Sequence, residues 1–282
     1  DPLWSRGLGD VYKRQSLSRL LGSRQPERRP LKRITLPEPT GPVYAVGDVH
    51  GCLDALLALE DEIFADTAHF PEPRLLIMLG DYVDRGPASA QLIDHLMQPM
   101  PNGFTRLCLA GNHELVMLDY LEGRGNLEDW LRYGAEATLA SYGVDTAYLA
   151  KLGQGNAERD MLIRQAIPVA HLQFLRQLAI VVEMPGFAFV HAGILPDMPL
   201  DRQSDWQLAT VRKSFEEKAH LSERVVVHGH TPVEQPLHMK GRVNLDTGAC
   251  FTGQLTGIRL WHNTGRYLSS RPGGNVRPAV RA

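Results

Sequence analysis

The chain has 282 residues, of which 43% are hydrophobic, and a formal net charge of −2 at pH 7, which allows a sizeable core in one domain or two. No apolar run approaches the roughly 18 residues that a transmembrane helix needs, so we predict no membrane span. Basic residues concentrate in residues 1–33 and 263–282, which leaves an acidic central part. Such a charge distribution is a poor match for a nucleic-acid-binding surface.

Cysteine usage sets the expected compartment. The three cysteines, Cys52, Cys108 and Cys250, lie far apart and form no CxxC pair. This pattern argues against a disulfide framework and against a cysteine-bound zinc ion, and it is typical of a reducing compartment. We therefore expect a cytoplasmic protein.

Sequence patterning divides the chain into one domain and two basic tails. Residues 1–40 show no hydrophobic period and contain several helix-breaking prolines, although a short amphipathic helix near residues 17–21 is compatible with them. We expect this segment and the Arg-, Pro- and Gly-rich residues 266–282 to be disordered. The folded domain is then predicted to comprise residues 41–265.

The first half of the predicted domain alternates strands and helices. Continuous apolar runs predict buried strands at residues 43–46, 75–79 and 107–109. Apolar residues at helical spacing follow these runs, at residues 53–64 and 92–97 and from Asn112 onward. This order implies a largely parallel central sheet with helices outside it. Ligand sites in such sheets lie beyond the carboxyl ends of the strands.

The second half begins with a segment of different character. Residues 121–178 read as a helical cap, with one helix over residues 127–142 and another over 160–178. Strands are then predicted at residues 180–183, 187–190, 224–227, 242–245 and 255–260. Turn glycines between these strands favour antiparallel pairing. We expect two sheets packed face to face with flanking helices.

Five predicted strands end in turns that carry metal-binding side-chain types. The turns are residues 47–51 (GDVHG), 80–86 (GDYVDRG), 111–114 (GNHE), 191–193 (HAG) and 229–232 (GHTP). The candidate ligands in them are Asp48, His50, Asp81, Asn112, His191 and His230, with Asp84, Arg85 and His113 interleaved. A mixed nitrogen and oxygen set suits Mn, Fe or Zn. It is too large for one tetrahedral zinc ion and fits two ions that share a carboxylate.

These five motifs, in this order, resemble the metallophosphoesterase superfamily and, within it, the phosphoprotein phosphatase family. The resemblance covers residues 42–262. It implies the α/β metallophosphoesterase (calcineurin-like) fold, a four-layer αββα sandwich of two mixed β-sheets flanked by helices. It also implies a dinuclear hydrolase in which a hydroxide bridging two divalent ions attacks phosphorus, with Mn²⁺ favoured and Fe or Zn as alternatives.

The resemblance also assigns roles to individual residues. It implies that Asp48 and His50 hold one metal, that Asp81 bridges, and that Asn112, His191 and His230 hold the other. His113 would be the general acid, and Asp84 would orient its ring and favour its charged form. Arg85 would clamp phosphate oxygens, which Asn112 and His113 would also contact.

A second phosphate-binding arginine is expected before the last metal histidine. In the family this arginine follows a tryptophan by two residues. The best match is Arg212, although Thr210 stands at the tryptophan position. Arg202 is the alternative.

Two further residues near the motifs each allow two interpretations. His228 lies two residues before His230 and is more compatible with packing or support than with direct metal ligation. Cys250 lies in a turn that the resemblance places beside the active site, so it is a candidate for the substrate rim. Otherwise Cys250 is a small packing residue.

The leading functional hypothesis is a phosphomonoesterase similar to bacterial and phage Ser/Thr protein phosphatases, with dual specificity left open. Its substrate would be a phosphorylated protein or peptide or a small phosphoester, with no nucleic-acid or membrane partner. The main rival is a symmetric bis(5'-nucleosyl)-tetraphosphatase, which shares the motifs. The cap and residues 194–223 would separate the two, and the oligomeric state stays open.

Two other classes are disfavoured. A nuclease fits poorly because the central part is acidic and Pro232 stands where some phosphoesterases carry another histidine. A non-catalytic scaffold should show broken ligand positions, and all of them are intact.

Overall fold

The computed structural model describes residues 28–101, 103–153, 157–262 and 264–271, together with the backbone of residues 280–281. The helix considered near residues 17–21 lies outside these ranges. In chain order the strands are β1 (Lys32–Thr35), β2 (Val43–Val46), β3 (Arg74–Met78), β4 (Phe104–Cys108), β5 (Ala179–Met184), β6 (Phe187–Val190), β7 (Val225–His228), β8 (Leu237–Met239), β9 (Arg242–Asn244), β10 (Thr256–Trp261), β11 (Thr264–Ser269) and β12 (Val280–Arg281).

The helices form the outer layers and the cap. In chain order they are α1 (Leu53–Asp66), α2 (Ser89–Met97), α3 (Asn112–Leu121), α4 (Leu127–Leu131), α5 (Ala135–Ser141), α6 (Thr146–Lys151), α7 (Ala157–Ala166), α8 (Val169–Gln177), α9 (Asp205–Thr210), α10 (Lys213–Lys218) and α11 (Ala249–Thr252). Among these described helices, none combines the length and the apolar character that crossing a membrane requires.

Two mixed sheets form the centre of the fold. The first has the order β12-β11-β10-β2-β3-β4 and the second the order β1-β5-β6-β7-β9-β8. The pairs β2–β3 and β3–β4 are parallel, as expected for strands joined through α1 and α2. The expected α/β fold of two mixed sheets flanked by helices is confirmed.

Alternate residues of the central strands face two different cores. Val43 and Ala45 of β2 join Phe189 of β6 in an apolar cluster built from residues of both sheets. Tyr44 and Val46 point the other way, into the larger cluster that includes the helices. Both faces of the strand are buried, which explains why the sequence shows a continuous apolar run instead of an alternating one.

Regular secondary structure is described on both sides of the predicted domain, residues 41–265. Strand β1 lies inside the segment 1–40, forms one edge of the second sheet and pairs in parallel with β5. It gives no hydrophobic period because its four residues are exposed or half-buried, and backbone pairing holds it. Strand β11 pairs with β10 along its whole length and ends at Ser269, past the predicted boundary at residue 265.

The cap and the second sheet also differ from expectation. The predicted helix over residues 127–142 is divided into α4 and α5 at Gly134, which has a φ of +90°. The predicted helix over residues 160–178 breaks at Pro168, which precedes α8. In the second sheet β6–β7 and β7–β9 are parallel instead of antiparallel. Helices α9 and α10 connect β6 to β7 and return the chain to the end at which β6 begins, whereas β8 connects β7 to β9.

Candidate active site

The ends of strands from both sheets meet at one edge of the molecule. Backbone hydrogen bonds join the sheets there, from Ala110 N–H to Ala179 O at 2.8 Å. The first sheet supplies Asp48, His50, Asp81, Asp84, Arg85, Asn112 and His113, and the second supplies His191 and His230. The sequence-predicted ligands are therefore brought to a single site.

The first cluster of potential metal ligands consists of His50, Asp81 and His113, all buried. The Oδ2 atom of Asp81 lies 3.4 Å from Nε2 of His50 and 3.7 Å from Nε2 of His113. Nδ1 of His50 donates to the carbonyl of Val83 at 2.9 Å. This bond fixes the tautomer and leaves Nε2 of His50 with its lone pair toward Asp81.

The second cluster shares Asp81 and adds His191 and His230. Nε2 of His191 lies 3.4 Å from Oδ2 of Asp81, 3.1 Å from Nδ1 of His230 and 3.2 Å from Oδ1 of Asn112. Nδ1 of His191 donates to the carbonyl of Leu79 at 3.0 Å, which again leaves Nε2 as the ligand atom. One carboxylate therefore stands between two groups of imidazoles.

Asp48 contacts the turn that carries His230. Its carboxylate accepts the backbone N–H of His230 at 3.0 Å. Burial raises the pKa of Asp48 well above its usual range, and the neighbouring Asp246 adds to the effect. Asp48 is outside the two compact ligand groups among the described residues, but it contacts the turn that carries one of them.

These residues fit two divalent cations that share Asp81. Burial raises the pKa of Asp81, but His191, His113 and His50 outweigh it, so its pKa lies well below the usual range and the carboxylate is ionised. Two glycines leave room for carboxylate oxygens, since a Cβ would lie 2.0 Å from Oδ1 of Asp81 at Gly111 and 2.0 Å from Oδ1 of Asp48 at Gly229. Buried anions of this kind need cations as partners.

Several of the site residues have strained backbone. Among the described residues, the non-glycine positions with positive φ are His50, Asp81, Asp84, Arg85, His230 and His262. All but His262 belong to the predicted site. A non-glycine residue in this region costs about 1–3 kcal/mol, so surrounding contacts must hold the turns in place.

Glu114 supplies such contacts. Its buried carboxylate accepts four backbone N–H groups, those of Asp81 and Gly111 at 2.8 Å each, Tyr82 at 2.7 Å and Val83 at 3.2 Å. Burial and the charge of Asp81 raise the pKa of Glu114 to about 7, against the effect of these bonds. Glu114 thus ties the turn after β3 to the turn after β4.

His113 and Asp84 form the expected pair, with Nδ1 and Oδ2 2.7 Å apart. Two cap residues hold the carboxylate: Trp130 of α4 donates its indole N–H to Oδ1 at 3.1 Å, and Thr138 of α5 donates its hydroxyl to Oδ1 at 2.7 Å. Thr138 also accepts the backbone N–H of Asp84 at 2.7 Å. The cap therefore helps to build the site.

The charge state of His113 differs from the expectation. A carboxylate beside an imidazole usually favours the charged ring, but burial lowers the pKa of His113 to about 3. Asp81 opposes this shift, whereas Arg85 adds to it. This low pKa favours the neutral form of the His113 ring, and burial likewise raises the pKa of Asp84 well above its usual range.

Two arginines face the ligand clusters. Nη1 of Arg85 donates to Nε2 of His50 at 2.8 Å and Nη2 to Nε2 of His113 at 3.1 Å. Nε of Arg212 donates to Nε2 of His230 at 2.9 Å. The alternative arginine, Arg202, lies exposed in the short turn Leu200–Arg202. The structure therefore brings Arg212 and Arg85 to the site.

His228 is fully buried beside the site. Its ring packs edge-on against Phe215 at 5.2 Å, and its Nδ1 donates to the carbonyl of Gly229 at 3.0 Å. Burial lowers its pKa to about 3. His228 belongs to neither ligand group found among the described residues.

Sequence reasoning missed the roles of Glu114, Trp130, Thr138 and Asp246. Asp246 is buried at the end of β9, and its Oδ1 accepts the backbone N–H of Gly248 at 2.9 Å. Burial raises its pKa to about 6. The signal was available, because Leu245-Asp246-Thr247-Gly248 has the same strand, acid and glycine order as the recognised turns.

The chain belongs to the calcineurin-like phosphoesterase family, whose profile matches residues 41–251. The resemblance inferred from the five motifs is thereby confirmed at the level of the family. The members of this family are hydrolases, so the prediction of an enzyme holds as well.

The chain is also similar to several individual proteins. A protein of Bacillus cereus (strain ATCC 10987 / NRS 248) named bis(5'-nucleosyl)-tetraphosphatase PrpE, asymmetrical, is 28% identical over 76% of this chain and 88% of its own length. A putative diadenosine tetraphosphatase has a TM-score of 0.57 at 22% identity, over 86% of this chain and 100% of that chain. A cold-active protein-tyrosine phosphatase of Shewanella SP. has a TM-score of 0.53 at 19% identity, over 84% and 80%. The two solved structures support the fold.

Replacing Glu114 with glutamine should destabilise the protein and weaken metal retention. The amide nitrogen cannot accept N–H groups, so buried donors of the two turns lose a partner, at a cost of roughly 2–4 kcal/mol. Urea unfolding and metal content measure the two effects. Glu62→Gln on the exposed face of α1 is the matched control. A Glu114→Gln variant as stable as the wild type would contradict this role.

Thr138→Val should lower kcat while leaving metal content unchanged. The substitution keeps the shape but removes the hydroxyl that holds Asp84, and misplacing a catalytic group costs roughly tenfold or more in rate. Thr138→Ser retains the hydroxyl and should keep most of the activity. Equal rates for the valine and serine variants would show that the bond to Asp84 is unimportant.

His228→Gln should make stability less dependent on pH. The folded-state pKa of His228 is about 3, below the unfolded value of about 6.5, so the unfolded chain binds more protons and wild-type stability falls as pH drops through this range. This effect lowers the free energy of unfolding of the wild type by up to about 1.4 kcal/mol per pH unit below about pH 6. The variant should not show it. Urea unfolding of both proteins at about pH 7 and about pH 5 tests this, and a pH-independent difference would refute it.

Proposed function

We propose that this protein is a dinuclear metal-dependent phosphoesterase that hydrolyses dinucleoside polyphosphates. The observation that carries the metal-dependent reaction is the convergence of two buried ligand groups on one carboxylate, Asp81. In this proposal one cation is held by Asp48, His50 and Asp81, and the other by Asp81, Asn112, His191 and His230.

Two divalent ions, for which we propose Mn²⁺, supply Lewis acidity and lower the pKa of coordinated water. The chain's own residues supply the remaining functions. Arg85 and Arg212 approach from opposite clusters, and their planar groups suit two oxygens of one phosphate. His113 presents Nε2 on the same side as Arg85, where it can exchange a proton with a leaving oxygen.

The substrate class is supported by the curated relatives. These proteins are named for bis(5'-nucleosyl)-tetraphosphate hydrolysis, and the match spans 88% of their length. Their names specify the asymmetrical reaction, so they favour that form over the symmetric one considered from the motifs. A polyphosphate chain carries several negative charges, which Arg85 and Arg212 complement.

Phosphomonoester hydrolysis on proteins is the second candidate, and the His113–Asp84 pair favours it. A serine alkoxide is a poor leaving group that needs a proton, whereas a nucleotide leaves as a stable phosphate anion. Relative kcat/KM values for diadenosine tetraphosphate, a phosphoserine peptide and a phosphotyrosine peptide decide between the candidates. A preference for either peptide would overturn the proposed substrate class.

Removing metal with a chelator should abolish hydrolysis, and Mn²⁺ should restore it. His113→Asn should then lower kcat on an alkyl phosphate by about 10²–10⁴-fold, the usual range for an acid–base group. The effect on nucleotide leaving groups should be smaller, and metal content should stay near two ions. His171→Asn, in the cap, is the matched control.

Two outcomes would contradict this scheme. Absence of hydrolysis with every divalent ion tried would refute the metal-dependent reaction. Loss of both metals in the His113→Asn variant would show that His113 is a ligand instead of a proton-transfer residue.

A further inference from the structure

A short helical turn, α11, lies at the rim of the active site directly after Asp246. Glycines with left-handed backbone bracket the turn, Gly248 with a φ of +66° and Gly253 with +69°. The hydroxyl of Thr252 donates to the carbonyl of Thr247 at 2.9 Å, and Asp246 accepts the N–H of Gly248. The turn is therefore held at both ends, and its remaining side chains are presented in a defined direction.

Phe251 projects from this turn into solvent. Its side chain is 72% exposed, which is high for a phenylalanine. Single exposed apolar residues are common, so exposure alone has no functional meaning. The position of this ring is informative, because the guanidinium carbon of Arg85 lies 5.9 Å from its centroid. That distance is within the range of a cation–π contact.

Arg85 connects the ring to the reacting centre. The same guanidinium contacts Nε2 of His50 and Nε2 of His113, at 2.8 and 3.1 Å. The side chain of Arg85 thus lies between the ligand cluster and Phe251, and Phe251 is on the solvent side of it. A phosphate held by Arg85 would therefore lie close to this ring.

Another aromatic residue near the site has a different environment. The ring of Tyr133 lies 5.1 Å from that of His113, but its side chain is buried and only 8% exposed. It cannot offer a free face to a substrate. Phe251 combines an open face with proximity to a phosphate-binding arginine.

We propose that Phe251 is a stacking platform for the nucleobase of the substrate, an inference that rests on the proposed dinucleoside polyphosphate hydrolysis. Every base has a π-face, so a phenylalanine ring accepts the bases with little sequence preference. An anion on Arg85 and a planar ring on Phe251 would be recognised together. Selection for a nucleotide over inorganic phosphate would then arise at the rim of the site.

The test compares two anions that differ only in the nucleoside. Binding of adenosine 5'-monophosphate and of inorganic phosphate to the Mn²⁺-loaded protein is measured by calorimetry for the wild type and for Phe251→Ala, Phe251→Leu and Phe251→Trp. Loss of stacking should weaken nucleotide binding by roughly 10- to 100-fold in the alanine and leucine variants. The tryptophan variant should retain it, and phosphate binding should stay within about twofold throughout.

Several results would overturn the platform. Equal weakening of both anions would mean that Phe251 only supports Arg85, and unchanged nucleotide binding would mean that the ring is not used. Thermal unfolding checks that the variants fold, and Tyr148→Ala, at an exposed aromatic residue of α6, is the matched control.

Hydrolysis is followed separately. A wild type that fails to cleave diadenosine tetraphosphate refutes the proposed function. In that case Phe251-dependent nucleotide binding would remain a property of the site, so the two failures are distinguishable.

Discussion

The carboxylate of Glu114 is the constraint on which the rest of the site depends. The turn after β3 carries Asp81, Asp84 and Arg85, whose backbone lies in the left-handed region, and such a turn does not persist without compensating contacts, here shared with the turn after β4. Four N–H donors from these turns converge on one buried side chain. The arrangement satisfies backbone groups that would otherwise be costly to bury, and it fixes Asp81 and His113 relative to each other.

The cap is part of the same construction. Trp130 and Thr138 reach from α4 and α5 to the carboxylate of Asp84, which in turn holds the ring of His113. The backbone carbonyl of Gly134, between these helices, also accepts the N–H of Arg85 at 3.1 Å. The segment that the sequence predicts to be a helical cap thus positions both His113 and Arg85, for which we propose proton transfer and phosphate binding.

Much of the site could be predicted from the sequence, because its ligands stand in short motifs at the ends of apolar strands. The supporting residues could not, since Trp130 and Thr138 are ordinary residues of cap helices whose partner lies more than forty positions away. The fold likewise contains features that local sequence patterns predict and features that they do not. Strands with two buried faces were recognisable, whereas β1 depends on backbone pairing and leaves no side-chain pattern. The parallel pairing of β6 with β7 follows from the path of α9 and α10, which local composition does not encode.

The distribution of ligands between the sheets has a mechanical consequence. His50, Asp81 and His113 all follow strands of the first sheet, whereas His191 and His230 follow strands of the second. A cation held by His50 and Asp81 would be bound by one sheet, but a cation held by Asp81, His191 and His230 would cross-link the two. Binding of a cation at that second position should therefore stabilise the packing between the sheets. Small shifts in the apolar layer between the sheets should in turn change the geometry of that position before that of the first.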